Sequence, residues 1–374
     1  MKVTCPHYYP VFRCTASACT DTCCVGWEID IDDAAFLRYQ NQTGVFGKRL
    51  REHILADGTP HFQLQKERCP FLNEENLCDI ILTLGEGALC EICTEHPRFH
   101  AWFGAVKESG LGLCCEAAAR LIVENEAPDT LIHTRTDEPV LDDLPEGRLF
   151  DALCAARERL WSMLQRRSES IWKRLAAALR FSCALQDCLD GEAPGDAIAA
   201  FLADYDAQPD GLFCETAQAP CGLEETLFQI LSFFLSLESM DESWPGMLAD
   251  IRAHLSAVVG QRRLFLDQYR TRAYEYEHLA IYFLYRYMLK SVFDGDVLSK
   301  IKLMAVSLAL LSVMDTACWQ ETHAFSLQDR IRIAKAYSKQ IEYSEENLLQ
   351  FQQASWEQPF FSAQQLITLL TQWG

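Results

Sequence analysis

The sequence lacks a continuous apolar segment long enough to cross a membrane. Its two longest mostly apolar runs, 227–237 and 303–314, fall well short of the roughly 20 residues that a bilayer requires. The first residues also lack the apolar stretch of a secretory signal, because Cys5, Pro6 and His7 interrupt them. We therefore expect no membrane span and a cytoplasmic location.

The common nucleotide-binding motifs are missing as well. No G-x-G-x-x-G follows a predicted strand, so a Rossmann-type site for a dinucleotide or for S-adenosylmethionine has no support. The P-loop pattern G-x-x-x-x-G-K-[ST] is absent, which excludes the commonest nucleoside triphosphatases. His-Glu-x-x-His is also absent, and the 9 histidines are scattered without ligand spacing, so a His-rich catalytic zinc is not expected.

Positive charge is scarce. The chain has 33 Lys and Arg against 53 Asp and Glu, which gives a net charge of −20. The negative electrostatic potential of such a chain repels nucleic acid and anionic membrane surfaces, so neither is an expected partner. The acidic excess lies mostly in residues 121–263, where it forms either a solvated face or a docking surface for a Lys-bearing partner.

Helical periodicity dominates the chain beyond residue 147. An apolar stripe runs from Leu153 to Ala178 in steps of three, four or seven residues. Ser362 and Gln365 form a candidate capping box ahead of a last helix. Similar helical patterns cover 224–239, 246–259, 263–293, 297–319 and 327–340.

The N-terminal third has a different composition. It contains short candidate elements between cysteines, including an alternating segment 27–32 that either forms a strand or leads into a helix capped by Asp32 or Asp33. Another helix is predicted from Glu116. The predicted fold is mostly α, and the predicted units are an irregular cysteine-rich metal-binding region, a polar connector and an α-helical domain, at 1–125, 126–147 and 148–374.

Cysteine is abundant, with 17 residues of which 11 lie in the first 115. An odd count, a large chain and the absence of an export signal all disfavour a disulfide scaffold. In a reducing compartment such clustering indicates a metal site. The six later cysteines are predicted to be buried small hydrophobic residues: Cys154, Cys183, Cys188, Cys214, Cys221 and Cys318.

The cysteine spacing leaves the metal open between zinc and an iron–sulfur cluster. Thiolates select soft metals, but only Cys14-x4-Cys19 and Cys90-x2-Cys93 have the form of zinc knuckles. The other, uneven spacings suit a cluster whose ligands come from separate loops. The radical-SAM spacing C-x3-C-x2-C is not met, because Gly26 stands where its third cysteine would be.

These residues resemble the flagellin lysine-N-methylase family, within the wider group of cysteine-rich zinc- or iron-chelating domains. The likeness covers most of the chain, although its specific motifs lie in residues 12–120. Those motifs are Phe12-x-Cys14-x4-Cys19-x-Asp21-Thr22-Cys23-Cys24-x-Gly26-Trp27, Cys69-Pro70-Phe71-Leu72, Leu77-Cys78, Cys93-x2-His96-Pro97-Arg98 and Leu113-Cys114-Cys115. Farther on, the segment Tyr276-Glu277-His278-Leu279-x2-Tyr282-Phe283-Leu284-Tyr285-Arg286 resembles a helix of the same family.

Some positions depart from the family pattern. His96 replaces a usual Tyr, Cys114 replaces a Ser, and Cys5 and Cys90 lie outside the pattern. Eight cysteines match it and are the predicted metal ligands, either for two clusters or for one with additional structural thiols: Cys14, Cys19, Cys23, Cys24, Cys69, Cys78, Cys93 and Cys115.

The resemblance implies that S-adenosylmethionine methylates lysine side chains of flagellin, with a thiolate-bound metal that is a [4Fe-4S] cluster or, alternatively, zinc. The metal then either stabilises the N-terminal part or anchors the amino-carboxylate of the methyl donor, in preference to electron transfer. Two alternative functions remain open at this point. One is a non-enzymatic metal-binding module, and the other is a redox sensor based on the vicinal pairs Cys23/Cys24 and Cys114/Cys115.

Candidate site residues follow from the same segments. Trp27 and Arg98 are candidate contacts of the methyl donor, although a core aromatic and a cation that neutralises the thiolates are the plainer interpretations. Glu277, Tyr282 and Tyr285 are candidate catalytic groups. Glu277 and Tyr285 are about two helical turns apart and could share a face, as base and amine-orienting group, whereas helix packing is the plainer role for the tyrosines.

The ligand assignment predicts a difference between early and late cysteines. Cys19→Ser, Cys23→Ser or Cys93→Ser should sharply lower the metal content of the purified protein and loosen its N-terminal part. Cys183→Ser and Cys318→Ser serve as controls and should leave the metal content unchanged. Metal analysis of each variant checks this, and equal losses in both groups would contradict an assignment of the metal to residues 14–115.

Overall fold

The computed structural model describes most of the chain. The described residues are 1–15, 18–19, 29–65, 68–140, 144, 148–208, 210–213, 222–241 and 243–374.

The described residues form six strands and a long series of helices. The strands are β1 Lys2–Pro6, β2 Ile54–Leu55, β3 His61–Phe62, β4 Arg98–Phe103, β5 Val106–Leu111 and β6 Leu131–Arg135. The helices of the N-terminal third are α1 Asp33–Asn41, α2 Gly44–Glu52, α3 Asp79–Leu84, α4 Glu91–Glu95 and α5 Glu116–Val123. The later helices are α6 Leu149–Leu164, α7 Ile171–Leu189, α8 Pro194–Ala207, α9 Leu223–Ser236, α10 Ser243–Ala253, α11 Leu255–Tyr269, α12 Tyr274–Tyr287, α13 Ser291–Asp294, α14 Val297–Thr322, α15 Leu327–Ile341, α16 Glu345–Glu357 and α17 Ala363–Trp373. The prediction of a mostly α fold is confirmed.

A four-stranded sheet organises the N-terminal part, where the sequence predicts irregular structure. Its strand order is β4-β5-β1-β6. β1 is parallel to β5 and antiparallel to β6, and Lys2 is opposite both Val106 and Arg135. The pairing brings together residues more than 100 positions apart in the chain, and for this reason no local sequence pattern indicates it. β6 lies within the segment predicted to be a polar connector, and its last three residues are exposed.

A smaller unit with its own apolar core lies between β1 and β4. It contains α1 to α4, and its buried core includes Tyr39, Phe62 and Phe71. Asp32 is the N-cap of α1, because its side chain accepts a hydrogen bond from the backbone N–H of Ala35 at 2.9 Å. This confirms the expected helix start.

The helical part is built around α14. Contrary to the expectation from the apolar runs, this helix is long and apolar enough to cross a membrane by length and composition alone, although 94% of its most apolar window is buried inside the protein. It packs against α7, α11, α12 and α15. α14 carries apolar residues on all its faces, which is typical of a core helix that other helices cover.

Several helix boundaries differ from the periodicity. The apolar stripe from Leu153 to Ala178 spans two helices, α6 and α7, which are separated by a turn. Ser170 ends that turn by capping α7, since its Oγ accepts from the backbone N–H of Lys173 at 3.3 Å. Ser362 caps α17 as expected. Helices α8 and α16 are additional to the predicted segments.

Helix α12 connects the sheet to the helical part, and every residue from Glu275 to Tyr285 is buried. Near its C-terminal end, Tyr285 donates its hydroxyl to the backbone carbonyls of Thr4 in β1 and Ser109 in β5, at 2.8 and 3.1 Å. His278 contacts the carbonyl of Ile122 in α5 through Nδ1 at 3.0 Å. α12 is therefore held on both sides by polar contacts with distant segments.

Arg330 forms the most deeply buried ion pairs of α15. Its guanidinium is 2.7 Å from the carboxylate of Asp315 and 3.2 Å from that of Glu275, and all three side chains are fully buried. Its guanidinium carbon also lies 4.4 Å from the ring centroid of Tyr276. Burial raises the pKa of Asp315 to about 6, although the Arg330 guanidinium opposes this shift.

Removal of this buried cation should be strongly destabilising. Arg330→Met leaves the buried carboxylate of Asp315 without its cation and leaves Glu275 with Arg272 alone. We therefore expect the free energy of unfolding to fall by about 3–5 kcal/mol. The matched control is Arg332→Met on the same helix, whose side chain is 54% exposed and pairs with Asp329 at 3.4 Å. The control should cost less than about 1 kcal/mol. Denaturant unfolding measures both, and similar losses would contradict this account.

Candidate functional site

A cleft of about 660 Å³ opens where α7 and α12 begin. Its walls come from the turn between α6 and α7, the last turns of α11 and the first turns of α12. This volume is within the range of about 300–1,000 Å³ that is usual for small-molecule sites. The cleft combines charged and aromatic side chains, which makes it a candidate site for a ligand that carries both charged and planar groups.

A buried carboxylate forms the floor of the cleft. Glu277 is fully buried and accepts hydrogen bonds from two arginines. Arg167 donates from Nε to both carboxylate oxygens at 3.0 and 3.1 Å and from Nη2 at 2.9 Å, and Arg174 donates from Nη1 at 2.7 Å. Two guanidinium groups face one carboxylate, so the floor carries one positive charge in excess.

Two helix N-termini also meet at the cleft. Ser170 and Ile171, at the start of the 19-residue helix α7, line it, and so do Ala273 and Tyr274 at the start of α12. The N-cap position of α12 has no side-chain cap. Unpaired N–H groups give a helix N-terminus a partial positive charge, and both starts therefore add to the positive potential of the floor.

The rim of the cleft presents charges of both signs. Arg263 and Arg270 line it and are exposed, and neither forms an ion pair with a carboxylate of the described residues. They are seven residues apart, about two helical turns, which places them on the same side of α11 and the turn that follows it. Glu126 and Asp267 supply carboxylates at the same rim.

A second buried acid lies behind the floor. Asp129 is 3% exposed, and its carboxylate is 3.6 Å from Nδ1 of His7. Burial raises the pKa of Asp129 to about 8, and the negative charge of Glu277 raises it further, while Arg167 opposes the shift. At pH 7 this carboxyl group is therefore mostly protonated and does not neutralise the arginines of the floor.

The three predicted catalytic residues lie in different surroundings. Glu277 lines the cleft, whereas Tyr282 and Tyr285 contact other parts of the protein. Tyr282 donates its hydroxyl to Glu342 at 2.8 Å and also receives a hydrogen bond from Arg286. Burial raises the pKa of both tyrosines, so both remain protonated donors. Glu277 contacts Arg167 and Arg174, whereas Tyr285 contacts the backbones of β1 and β5, and the catalytic role of all three stays a prediction.

Four of the early cysteines lie together in the small N-terminal core. Cys69 and Cys90 are buried in that core, and Cys78 and Cys93 pack against it. Burial raises the pKa of Cys69 to about 11, with a further contribution from Cys78 and Cys90. A hydrogen bond from Cys93 lowers the pKa of Cys90. Cys90 lies outside the family pattern, yet it belongs to this group, and its C-x2-C spacing with Cys93 is the signal that indicated it.

Other cysteines lie near the start of α5. The thiol of Cys19 is 3.9 Å from a carboxylate oxygen of Glu116, and Cys115 is the N-cap residue of α5. The thiol of Cys114 is 3.9 Å from Nε2 of His96, and burial raises its pKa to about 12. Cys14 is exposed.

The metal prediction rests on residues that are only partly described. Cys23, Cys24 and Trp27 lie outside the described residues. Within the part of the chain that the structure describes, no three Cys, His, Asp or Glu side chains are placed to hold a metal ion. Arg98 donates to the carbonyl of Thr94 at 3.0 Å and lies 5.1 Å from the ring centroid of Phe12. The metal ligands and the donor contacts of Trp27 and Arg98 stay predictions.

The arginines of the cleft are the functional candidates that sequence reasoning missed. Arg167 and Arg174 are separated from Glu277 by 110 and 103 residues. Both lie near the start of α7, and arginines near helix starts are too common for such a position to indicate a site.

The raised pKa of Asp129 predicts a specific dependence of stability on pH. Between about pH 4 and about pH 8 the folded protein keeps the proton of Asp129, whereas the unfolded chain has lost it. The contribution of this group to the free energy of unfolding therefore falls as the pH rises across this range, and levels off above about pH 8. In Asp129→Asn the free energy of unfolding should therefore fall less steeply over this range than in the wild type. Denaturant unfolding at several pH values measures the slopes. Asp137→Asn, at an exposed position, is the control, and equal slopes in all three proteins would contradict the assignment.

Comparison with known proteins identifies the helical part. The family model of the FliB lysine N-methylase C-terminal domain matches residues 157–369. The flagellar biosynthetic protein FliU of Salmonella muenchen is 30% identical over 136 residues, which cover 34% of this chain and 80% of that protein. The lysine-N-methylases of Salmonella typhimurium and Salmonella choleraesuis are each 31% identical over 136 residues, which cover 34% of this chain and 34% of each relative.

The matched segment contains all the residues that line the cleft except Glu126 and Gly374. No solved structure matches the chain, and the chain spans about a third of the length of the two lysine-N-methylases. The family model nevertheless covers more than half of this chain, including Arg167, Arg174, Arg263, Arg270 and Glu277. The chain therefore belongs to the FliB lysine N-methylase family.

Proposed function

We propose that this protein is a lysine N-methyltransferase that transfers methyl groups from S-adenosylmethionine to lysine side chains of flagellin in the cytoplasm. Membership of the FliB family supports the reaction class. The names of the relatives, lysine-N-methylase and flagellar biosynthetic protein, support lysine as the acceptor and a flagellar protein as the substrate.

The single observation that carries this proposal is the position of the cleft in the family-matched segment. Every lining residue except Glu126 and Gly374 falls within residues 157–369. The cleft is large enough for a small-molecule methyl donor and is open to solvent at a rim that carries charges of both signs. A protein side chain can therefore approach a ligand that is bound inside it.

The chemistry requires an uncharged amine next to an electrophilic methyl group. Lysine has a solution pKa of about 10.4, so its ammonium group must lose a proton before the nitrogen attacks. The new C–N bond then forms as the C–S bond of the donor breaks, and the thioether leaves as S-adenosylhomocysteine. Such a displacement depends mainly on alignment of the two reactants and on exclusion of water.

The chain supplies groups for this alignment. Glu277 is the predicted carboxylate of the site, and its two arginines hold it in one orientation. The start of α12 fixes the position of Glu277 and the start of α7 fixes that of Arg174, because both helices are packed into the core.

We further propose that the early cysteines bind an iron–sulfur cluster, or alternatively zinc, with a structural role. The side chains of this part suit a soft metal as ligands, because four thiols share the small N-terminal core. Among the described residues, the cleft is lined only from Glu126 onward. This separation favours stabilisation of the N-terminal part over contact with the methyl donor.

Mass spectrometry of flagellin tests the proposed reaction. Flagellin incubated with the protein and S-adenosylmethionine should gain the mass of one or more methyl groups, and peptide mapping should place them on lysines. Reactions without the methyl donor, and with flagellin whose lysines are chemically acetylated, serve as controls. A flagellin of unchanged mass after incubation with folded, metal-replete protein would contradict the proposal.

A further inference from the structure

We infer that the cleft at the start of α12 is the binding site for S-adenosylmethionine, with the carboxylate of the donor at Arg263 and Arg270. This inference rests on the proposed function and adds the location of the methyl donor. S-Adenosylmethionine carries a carboxylate, an ammonium, a sulfonium and an adenine ring. The cleft offers a complementary group for each of these four.

The two rim arginines fit the carboxylate. Arg263 and Arg270 are on the same side of α11 and the following turn, and no described carboxylate is paired with either. Exposed arginines at a cleft are available for charge-assisted, bidentate hydrogen bonds to a planar carboxylate. The floor supports an anionic group as well, because Arg167 and Arg174 together exceed the charge of Glu277.

The acids at the rim fit the two cationic groups of the donor. Glu126 and Asp267 line the cleft and are exposed, and neither forms an ion pair with a described Lys or Arg. Their negative charges attract the positively charged ammonium and sulfonium groups of the donor. They also repel a polyanion such as a nucleoside triphosphate, so a cleft with both signs of charge selects a zwitterionic ligand over a purely anionic one.

An aromatic wall fits the adenine ring. Tyr274 is partly exposed at the first position of α12, and Trp172 and Tyr276 line the cleft behind it. The ring of Tyr274 packs against the ring of His278, with a distance of 5.6 Å between the two centroids. A fixed and accessible ring provides a surface for offset stacking on a planar base.

Calorimetric titration tests the site with S-adenosylmethionine and adenosine as the probes. The full chain is purified without oxygen so that any metal is retained. The double variant Arg263→Ala, Arg270→Ala should bind S-adenosylmethionine about tenfold more weakly or worse, because charge-assisted hydrogen bonds are lost. The variant should bind adenosine, which has no carboxylate, as the wild type does. Tyr274→Ala should weaken the binding of both probes.

Controls separate this inference from the proposed function. Arg332→Ala removes an exposed arginine of α15 that does not line the cleft, and it should leave the binding of both probes unchanged. If the wild type methylates flagellin while all the cleft variants bind S-adenosylmethionine with wild-type affinity, the inferred site is wrong and the proposed function stands. If the wild type neither binds S-adenosylmethionine nor methylates flagellin, both are overturned. Circular dichroism confirms that each variant is folded before titration.

Discussion

The buried carboxylate of Glu277 is the constraint on which the rest of the candidate site depends. A carboxylate without solvent is costly unless cations and hydrogen bonds compensate it. Arg167 and Arg174 compensate it here, and they can do so only if the turn between α6 and α7 lies against the first turn of α12. The same geometry brings the N-termini of α7 and α12 to one place. The cleft thus results from the requirement to pair one buried charge.

The same principle recurs along α12 and explains why this helix has one position in the fold. Glu275 pairs with Arg330 of α15, and Arg286 pairs with Glu342, which also accepts hydrogen bonds from Tyr282 and Tyr287. Buried ion pairs add little net stability compared with apolar contacts, but each is expensive to break. A shift of α12 by one turn would break several of them at once. They therefore specify the register of the helix more than they strengthen it.

The cysteine-bearing core and the cleft depend on different kinds of interaction. The early cysteines are gathered by a small apolar core of their own, in which Cys69 and Cys90 are buried beside Cys78 and Cys93. The cleft belongs to the helical part that matches the FliB family. Helix α5 and the sheet pack against the helical part, because Tyr285 and His278 of α12 bond to their backbones.

The sequence alone determined the local features of this protein. Apolar periodicity indicated most of the helices, Asp32 and Ser362 marked helix starts through their capping side chains, and the thiol motifs carried the family resemblance, because each of these signals lies within a few residues. The tertiary structure alone decided the parallel pairing of β1 with β5 and the formation of the cleft. The groups of the cleft floor, Glu277 with Arg167 and Arg174, come from segments more than 100 residues apart. Their meeting is set by long-range packing and by the cost of an unpaired buried charge, and neither is readable from local spacing.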